Sequence, residues 1–127
     1  MEDTVLIDAS VFIKYFRAPD KRKTYFTELL VRFPKLCVSA VAKYEVLCGA
    51  LEHDMAFWES CFEQITVLPF DDSTIMMARK IRQQLKRENK LIDTGDILIA
   101  ATAMINDFPL ATLNRNHFER IRGLRMV

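Results

Sequence analysis

The sequence predicts an α/β fold, in which helices cover both faces of a central, mainly parallel sheet of four to five strands. Short runs of apolar residues lack the polar alternation of half-exposed strands, which is typical of strands buried on both faces. Segments with apolar residues at helical spacing lie between these runs. The chain has 127 residues, half of them apolar, and this size supports one three-layer α/β/α domain over residues 1–127.

The first strand and the helices that follow it occupy the N-terminal quarter of the chain. Residues 4–7 form an apolar, β-branched run that stops at Asp8, and residues 9–16 continue as a short helix. A Pro-Asp pair at 19–20 breaks the pattern, and apolar residues at helical spacing then predict a helix over 25–33. This segment therefore predicts a strand, a short helix, a turn and a helix.

The middle of the chain repeats the alternation of strands and helices. Residues 36–38 predict a second strand, after which Ser39 is positioned to cap a helix that runs to about residue 51. A further helix is expected over 54–62. Residues 65–68 form a third β-branched run that ends at a proline, which predicts a third strand.

The C-terminal half begins with the longest predicted helix, which opens at Asp72 and runs to about residue 88. After a break, a nearly all-apolar segment predicts a buried helix over 95–106. Residues 110–112 predict a fourth strand, and the asparagines at 114 and 116 predict a turn.

Composition and charge exclude several classes of protein. The longest nearly apolar stretch, residues 97–105, is too short to span a membrane, and the acidic start does not resemble a signal peptide, so we expect a cytoplasmic protein without a membrane partner. The three cysteines form no C-x-x-C pair and lie in apolar segments, which favours buried thiols over metal or redox sites.

The net charge of +1 conceals an uneven distribution along the chain. Residues 1–78 hold 8 Lys and Arg against 12 Asp and Glu, whereas residues 79–127 hold 10 against 5. In the long predicted helix, one stripe at helical spacing is entirely basic. This stripe is either a solvated helix face or a surface that contacts phosphates. Its residues are Arg79, Arg82, Lys86 and Lys90.

Asp8 and Asn114 are predicted to lie at one edge of the sheet, because each follows a strand. Ligands bind at the carboxyl ends of parallel strands, so both are candidate ligand-binding residues. Each also has an ordinary structural interpretation. Asp8 could instead cap the next helix, and Asn114 could simply form a turn.

Glu45 and Asp96 are acids without an obvious cationic neighbour on their own helices. Residues three and four positions from Glu45 carry no positive charge, so it either reaches water or lies beside a bound cation. Asp96 starts the buried helix, either as part of an acidic first turn or as a ligand. We assign the neighbouring Asp93 mainly to capping.

The candidate residues Asp8, Glu45, Asp96 and Asn114 come from four separate elements. Their oxygen ligands suit Mg²⁺ or Mn²⁺. With only two histidines in the chain, a zinc site is not expected.

Four segments together resemble, in order, the motifs of PIN-domain ribonucleases, and most closely those of the VapC toxins of toxin–antitoxin pairs. They are VLIDASVFI at 5–13, SAVAKYEV at 39–46, GDILIAATA at 95–103 and ATLNRNHF at 111–118. Each motif is weak alone, but four in the correct order are a strong signal. The resemblance covers nearly the whole chain and implies the PIN-like version of the predicted fold.

The resemblance also assigns roles to individual residues. It implies that Asp8, Glu45 and Asp96 are the catalytic, metal-binding acids, that Ser10 and Thr112 support them by hydrogen bonds, and that Asn114 stands at the family's fourth acidic position. The implied activity is Mg²⁺- or Mn²⁺-dependent endonucleolytic hydrolysis of RNA. The implied partners are the RNA substrate, a VapB-like antitoxin and a second copy of the chain in a homodimer. Arg115, beside Asn114, is a candidate contact to the substrate phosphate.

Three alternatives remain open at this stage. A PIN nuclease of RNA maturation or turnover would use the same residues without an antitoxin. A receiver-like phosphorylation switch is a small α/β domain with clustered acids, but it needs a lysine after the last strand, and no lysine follows Lys90. A catalytically inactive interaction module is disfavoured because all three principal acids are present.

Overall fold

Within the described residues the sheet has four strands, and all of them are parallel. The computed structural model describes residues 2–127, and the strands are β1 (Thr4–Ile7), β2 (Lys35–Ser39), β3 (Thr66–Leu68) and β4 (Leu110–Ala111). They are arranged in the order β3-β2-β1-β4. The prediction of a parallel sheet flanked by helices is therefore confirmed, with the lower of the two expected strand numbers.

β1 lies inside the sheet and is buried along most of its length. Leu6 pairs with Cys37 of β2 on one side and with Leu110 of β4 on the other. Val5, Leu6 and Ile7 are all 0% exposed, which explains the run that is apolar on both faces. Because all four strands are parallel, the residues that follow β1 and β4 come to the same edge of the sheet.

Seven α-helices connect and cover the strands of the described chain. A hydroxyl cap begins the third of them, as predicted, since the Ala42 amide donates to Ser39 Oγ at 2.9 Å. That helix ends at Cys48, before the predicted residue 51, because Gly49 forms its C-cap. The helices are α1 (Ala9–Arg17), α2 (Tyr25–Arg32), α3 (Ala40–Cys48), α4 (Met55–Glu63), α5 (Asp72–Arg87), α6 (Thr94–Asn106) and α7 (Arg115–Phe118).

α6 is the most deeply buried helix of the described chain. Ile97, Ile99 and the small residues that follow are almost completely shielded from solvent. α6 packs against α5, which buries Ala78, Ile81 and Leu85 and turns its opposite side outward. No helix within residues 2–127 is long and apolar enough to cross a membrane.

The segment after β4 differs from the prediction. The sequence predicts a turn at Asn114 and Asn116, but the structure has one turn of helix, α7. Phe118 is 0% exposed and anchors this turn in the core. Burial of one aromatic side chain therefore explains a helix that local pattern does not predict. As a result, His117 is held beside the N-terminal end of α6.

Candidate active site

The carboxylate of Asp8 is buried and is held by two hydroxyl groups. Ser10 Oγ donates to Asp8 Oδ2 at 2.7 Å, and Thr112 Oγ1 donates to the same oxygen at 2.8 Å. Asp8 occupies the N-cap position of α1, but its side chain makes no cap hydrogen bond. The structure therefore rejects helix capping as the role of this carboxylate, which is fixed across the β1–β4 edge instead.

The second carboxylate oxygen of Asp8 faces outward. In the described part of the chain, every fully buried side-chain oxygen or nitrogen has a hydrogen-bond partner. Asp8 Oδ1 has none, so it must be in contact with solvent. One oxygen of Asp8 is thus used to orient the side chain, and the other is free to bind a ligand.

Glu45 comes from α3 and reaches the start of α6. A Cβ atom at Gly95 would lie 2.5 Å from Glu45 Oε2 and 3.4 Å from Glu45 Cδ. The carboxylate therefore occupies the space that any other residue at 95 would fill with its side chain. Glycine at this position lets Glu45 lie directly against the backbone next to Asp96.

Asp96 lies in the first turn of α6 and contacts a histidine. His117 Nδ1 lies 2.9 Å from Asp96 Oδ2, and the Asp96 side chain is only 16% exposed. This contact joins α7 to α6 at the open edge of the sheet. It orients Asp96 as the two hydroxyl groups orient Asp8.

The three carboxylates lie close enough to influence one another's charge. Partial burial of its carboxyl group raises the pKa of Glu45, and the negative charges of Asp8 and Asp96 raise it further. Burial also raises the pKa of Asp96, although the hydrogen bond from His117 acts in the opposite direction. Grouped carboxylates of this kind are unfavourable without a cation.

These residues fit a hard divalent cation. The donor set is made of carboxylate oxygens, which Mg²⁺ and Mn²⁺ prefer, and the pocket at Gly95 brings Glu45 beside Asp96. No three His, Cys, Asp or Glu side chains of residues 2–127 already converge as a ligand cluster. The three carboxylates therefore lie near one another without forming a closed ligand cluster.

The structure keeps the side chains of Asn114 and Arg115 out of this hydrogen-bond network. Asn114 is exposed, and its backbone amide donates to Thr112 Oγ1 at 2.9 Å. Arg115 Nη1 donates to the backbone oxygen of Val127 at 2.8 Å, and Arg115 Nε lies 4.0 Å from Glu119. The expected roles of Asn114 in catalysis and of Arg115 in phosphate binding stay predictions.

The structure changes the roles assigned to two further residues near the three acids, Asp93 and His117. Asp93 occupies the N-cap position of α6, but its side chain makes no cap hydrogen bond, so the assignment to capping is wrong for the side chain. His117, which the sequence interpretation considered only as an unlikely zinc ligand, belongs to the site. The available signal is its position three residues after Asn114 in the fourth motif segment.

Comparison of the sequence with known protein families finds one that spans almost the entire chain. The model of the PIN domain matches residues 5–124. Ribonuclease VapC1 of Methanocaldococcus jannaschii is 34% identical, over 98% of this chain and 88% of that protein. The tRNA(fMet)-specific endonuclease VapC of Shigella flexneri is 31% identical, over 72% of this chain and 73% of that protein.

Solved structures share the same fold. The DNA-bound VapBC complex of Salmonella typhimurium contains a chain that matches with a TM-score of 0.86 and 23% identity, covering 99% of this chain and 98% of that chain. A chain of VapBC-1 from nontypeable Haemophilus influenzae matches with a TM-score of 0.84 and 21% identity, covering 98% and 96%. The arrangement of sheet and helices is thus common to these proteins.

Proposed function

The chain belongs to the PIN domain family, and from this premise we propose that it is a divalent-metal-dependent endoribonuclease that acts as the toxin of a toxin–antitoxin pair. The curated relatives are ribonucleases of the VapC type over nearly the whole length of the chain. Membership of this family removes the phosphorylation-switch alternative. The proposed substrate is RNA, and the proposed cofactor is Mg²⁺ or Mn²⁺.

One observation supports the proposed chemistry most strongly. Asp8, Glu45 and Asp96 come from β1, α3 and α6, and their charges meet at one open edge of the sheet, where the pKa values of Glu45 and Asp96 are raised. Among the described residues, no lysine or arginine forms an ion pair with any of these three acids, and Asp96 has only its hydrogen bond with the His117 ring. Repulsion among these carboxylates destabilises the protein when no ligand is bound. A cation bound together with a polyanionic substrate offsets that repulsion.

The residues of the chain divide the work of the site. Ser10 and Thr112 fix Asp8, and His117 fixes Asp96, so that both carboxylates keep one oriented oxygen for the ligand. When bound, Mg²⁺ or Mn²⁺ would neutralise charge on the phosphate and lower the pKa of the water used for hydrolysis. Pre-orientation of the acids lowers the reorganisation that binding requires.

The antitoxin partner is proposed on separate grounds. The similar solved structures include VapBC toxin–antitoxin complexes, such as that of Rickettsia felis. On this chain, a groove of about 660 Å³ opens between α2 and α4, and its mixed lining includes Phe26, Leu30 and Phe57 beside polar residues such as Lys35 and Gln64. Its surroundings include exposed apolar side chains, such as Leu30 at 49%. We propose that a VapB-like antitoxin covers apolar surface of this kind, and that the toxin forms a homodimer.

The direct test is cleavage of total cellular RNA by the purified, antitoxin-free protein in Mg²⁺ or Mn²⁺. EDTA and the Asp96→Asn variant serve as controls, and the ends of the products are sequenced. We expect discrete cuts that disappear in both controls. A folded protein that leaves RNA intact under these conditions, or cleaves it equally in EDTA, would contradict the proposed function.

A further inference from the structure

The outward face of α5 carries a continuous basic surface, which we call the α5 basic face. Four cations and one amide line a shallow groove of about 550 Å³ on it. All of them are exposed, and the opposite side of the helix is buried against α6. The residues that line this groove are Arg79, Arg82, Gln83, Lys86 and Arg87.

Among residues 2–127, no acidic side chain forms an ion pair with a cation of the α5 basic face. Glu88, the nearest acid in sequence, binds Arg122 at 2.9 Å instead. Arg82 and Lys86 lie four residues apart within α5, and like charges at this spacing destabilise a helix. Within residues 2–127, the arginines that form ion pairs are Arg22, Arg115, Arg122 and Arg125.

A polar surface lies between the α5 basic face and the candidate active site. A second hollow there, of about 460 Å³, lies between the end of α5 and α7 and is lined by Asn89, Lys90, Asn116, Glu119 and Arg120. Arg120 Nη1 donates to the backbone oxygens of Lys90 and Leu91 at 3.4 and 3.3 Å. Asn116 is adjacent to His117, whose ring contacts Asp96. The surface beyond α5 is therefore polar, with two cations beside Glu119, and it leads to the neighbour of the residue that orients an active-site acid.

Resting on the proposed function, we propose that the α5 basic face, with Lys90, binds the phosphodiester backbone of the RNA strand that leads away from the cleavage site. An α-helix rises about 1.5 Å per residue, so the cations from Arg79 to Arg87 span roughly 12 Å along α5, and Lys90 lies just beyond the end of the helix. This length accommodates consecutive phosphates of one strand.

The groove favours a nucleic acid over an acidic protein. Its lining consists only of Arg, Lys and Gln side chains, without an apolar residue. Protein partners bury apolar and aromatic side chains at the centre of an interface, whereas phosphate contacts need only charge and hydrogen-bond donors. Cations that track a backbone bind without reading the base sequence, so this surface supplies affinity rather than specificity.

The test compares two double variants that each remove two positive charges. Arg82→Gln with Lys86→Gln alters the α5 basic face, and Lys14→Gln with Arg17→Gln is the matched control on α1. Both are built in an Asp8→Asn background, which keeps the RNA intact, and circular dichroism confirms their folding. Binding of a fluorescent 12-nucleotide single-stranded RNA is followed by anisotropy from 50 to 300 mM salt.

Loss of two phosphate contacts on a single strand reduces the slope of log K against log salt by about 1.4 and weakens binding about 25-fold at 0.1 M salt. We expect this result for the α5 variant and little change for the α1 control. Equal slopes for the α5 variant and the parent would overturn the proposal, even if the wild-type protein cleaves RNA.

The α5 variant could also bind RNA with the same salt slope as the parent but lose binding of a poly-glutamate peptide. That result would overturn the proposal in favour of an acidic protein partner. Absence of RNA cleavage and binding in the wild type would instead contradict the proposed function itself, and with it the proposal. The failure of the surface and the failure of the activity are therefore distinguishable.

Discussion

Replacing Gly95 with alanine separates the stability of the fold from the geometry of the site. The new Cβ would lie 2.5 Å from Glu45 Oε2, closer than nonbonded atoms approach. The group in its way is the end of a flexible side chain on an exposed residue, so Glu45 can rotate away without displacing the core. The expected consequence is a folded protein whose Glu45 carboxylate is separated from Asp96.

The magnitudes follow from the position of Gly95 in the first turn of α6. Alanine is favoured over glycine in a helix by about 0.5–1 kcal/mol. For a chain of this length, that gain raises the Tm by about 2–4 °C. Mutation of groups that only orient metal ligands weakens metal affinity by about 10- to 100-fold, so displacing Glu45 as a proposed ligand is expected to cost at least about tenfold. Stability and metal affinity are thus expected to change in opposite directions.

The assay combines thermal unfolding with calorimetric titration of Mn²⁺. Gly49→Ala is the matched control, because a Cβ at Gly49 meets only backbone oxygens at 3.8 Å or more. We expect Gly49→Ala to bind Mn²⁺ like the wild type. A Gly95→Ala protein that binds Mn²⁺ with unchanged affinity would refute the argument, as would one that fails to fold.

Three further predictions concern single groups of the structure. Thr112→Val removes a hydroxyl that hydrogen-bonds the buried Asp8 carboxylate, and urea unfolding should show a loss of about 1.5–3 kcal/mol that Thr112→Ser largely avoids. Burial and neighbouring acids raise the pKa of Glu45, so above the ordinary glutamate value the folded state holds a proton that the unfolded state releases. Melting curves in EDTA should therefore show stability falling as pH rises through the raised pKa of Glu45. The pH dependence of the Tm should be flatter for Glu45→Gln. An equally steep pH dependence in that variant would contradict the assignment of the effect to Glu45. The expectation of three buried thiols is wrong for Cys48, which is exposed. Burial raises the pKa of the Cys61 thiol to about 11, so iodoacetamide at pH 8 should modify Cys48 before Cys61. Equal modification of both thiols in the native protein, measured by mass spectrometry, would contradict this prediction.

The sequence predicts the sheet well because burial on both faces leaves a visible pattern. Residues 4–7 are apolar on both sides of the strand, and the structure shows Val5, Leu6 and Ile7 shielded from solvent. The same reasoning identifies Asp8, since a carboxylate directly after such a strand must lie at the sheet edge. Glu45 and Asp96 are identifiable because their own helices provide no cation.

Other features depend on contacts between distant segments and leave no local pattern. α7 is only four residues long, too short for helical periodicity, and forms because Phe118 is buried in the core. The contact of His117 with Asp96 follows from that placement. Arg115 contacts the backbone of Val127 because the end of the chain returns beside β4, where Leu110 and Met126 form a bridge.

The most direct test of the account is whether Asp8, Glu45 and Asp96 form one divalent-cation site. Calorimetric titration of Mn²⁺ into the wild type, Asp8→Asn, Glu45→Gln and Asp96→Asn measures this, with the exposed Glu59→Gln as control. We predict saturable binding in the wild type and control, and binding at least about tenfold weaker in each of the three site variants. Equal Mn²⁺ affinity in all five folded proteins would contradict the proposed metal site.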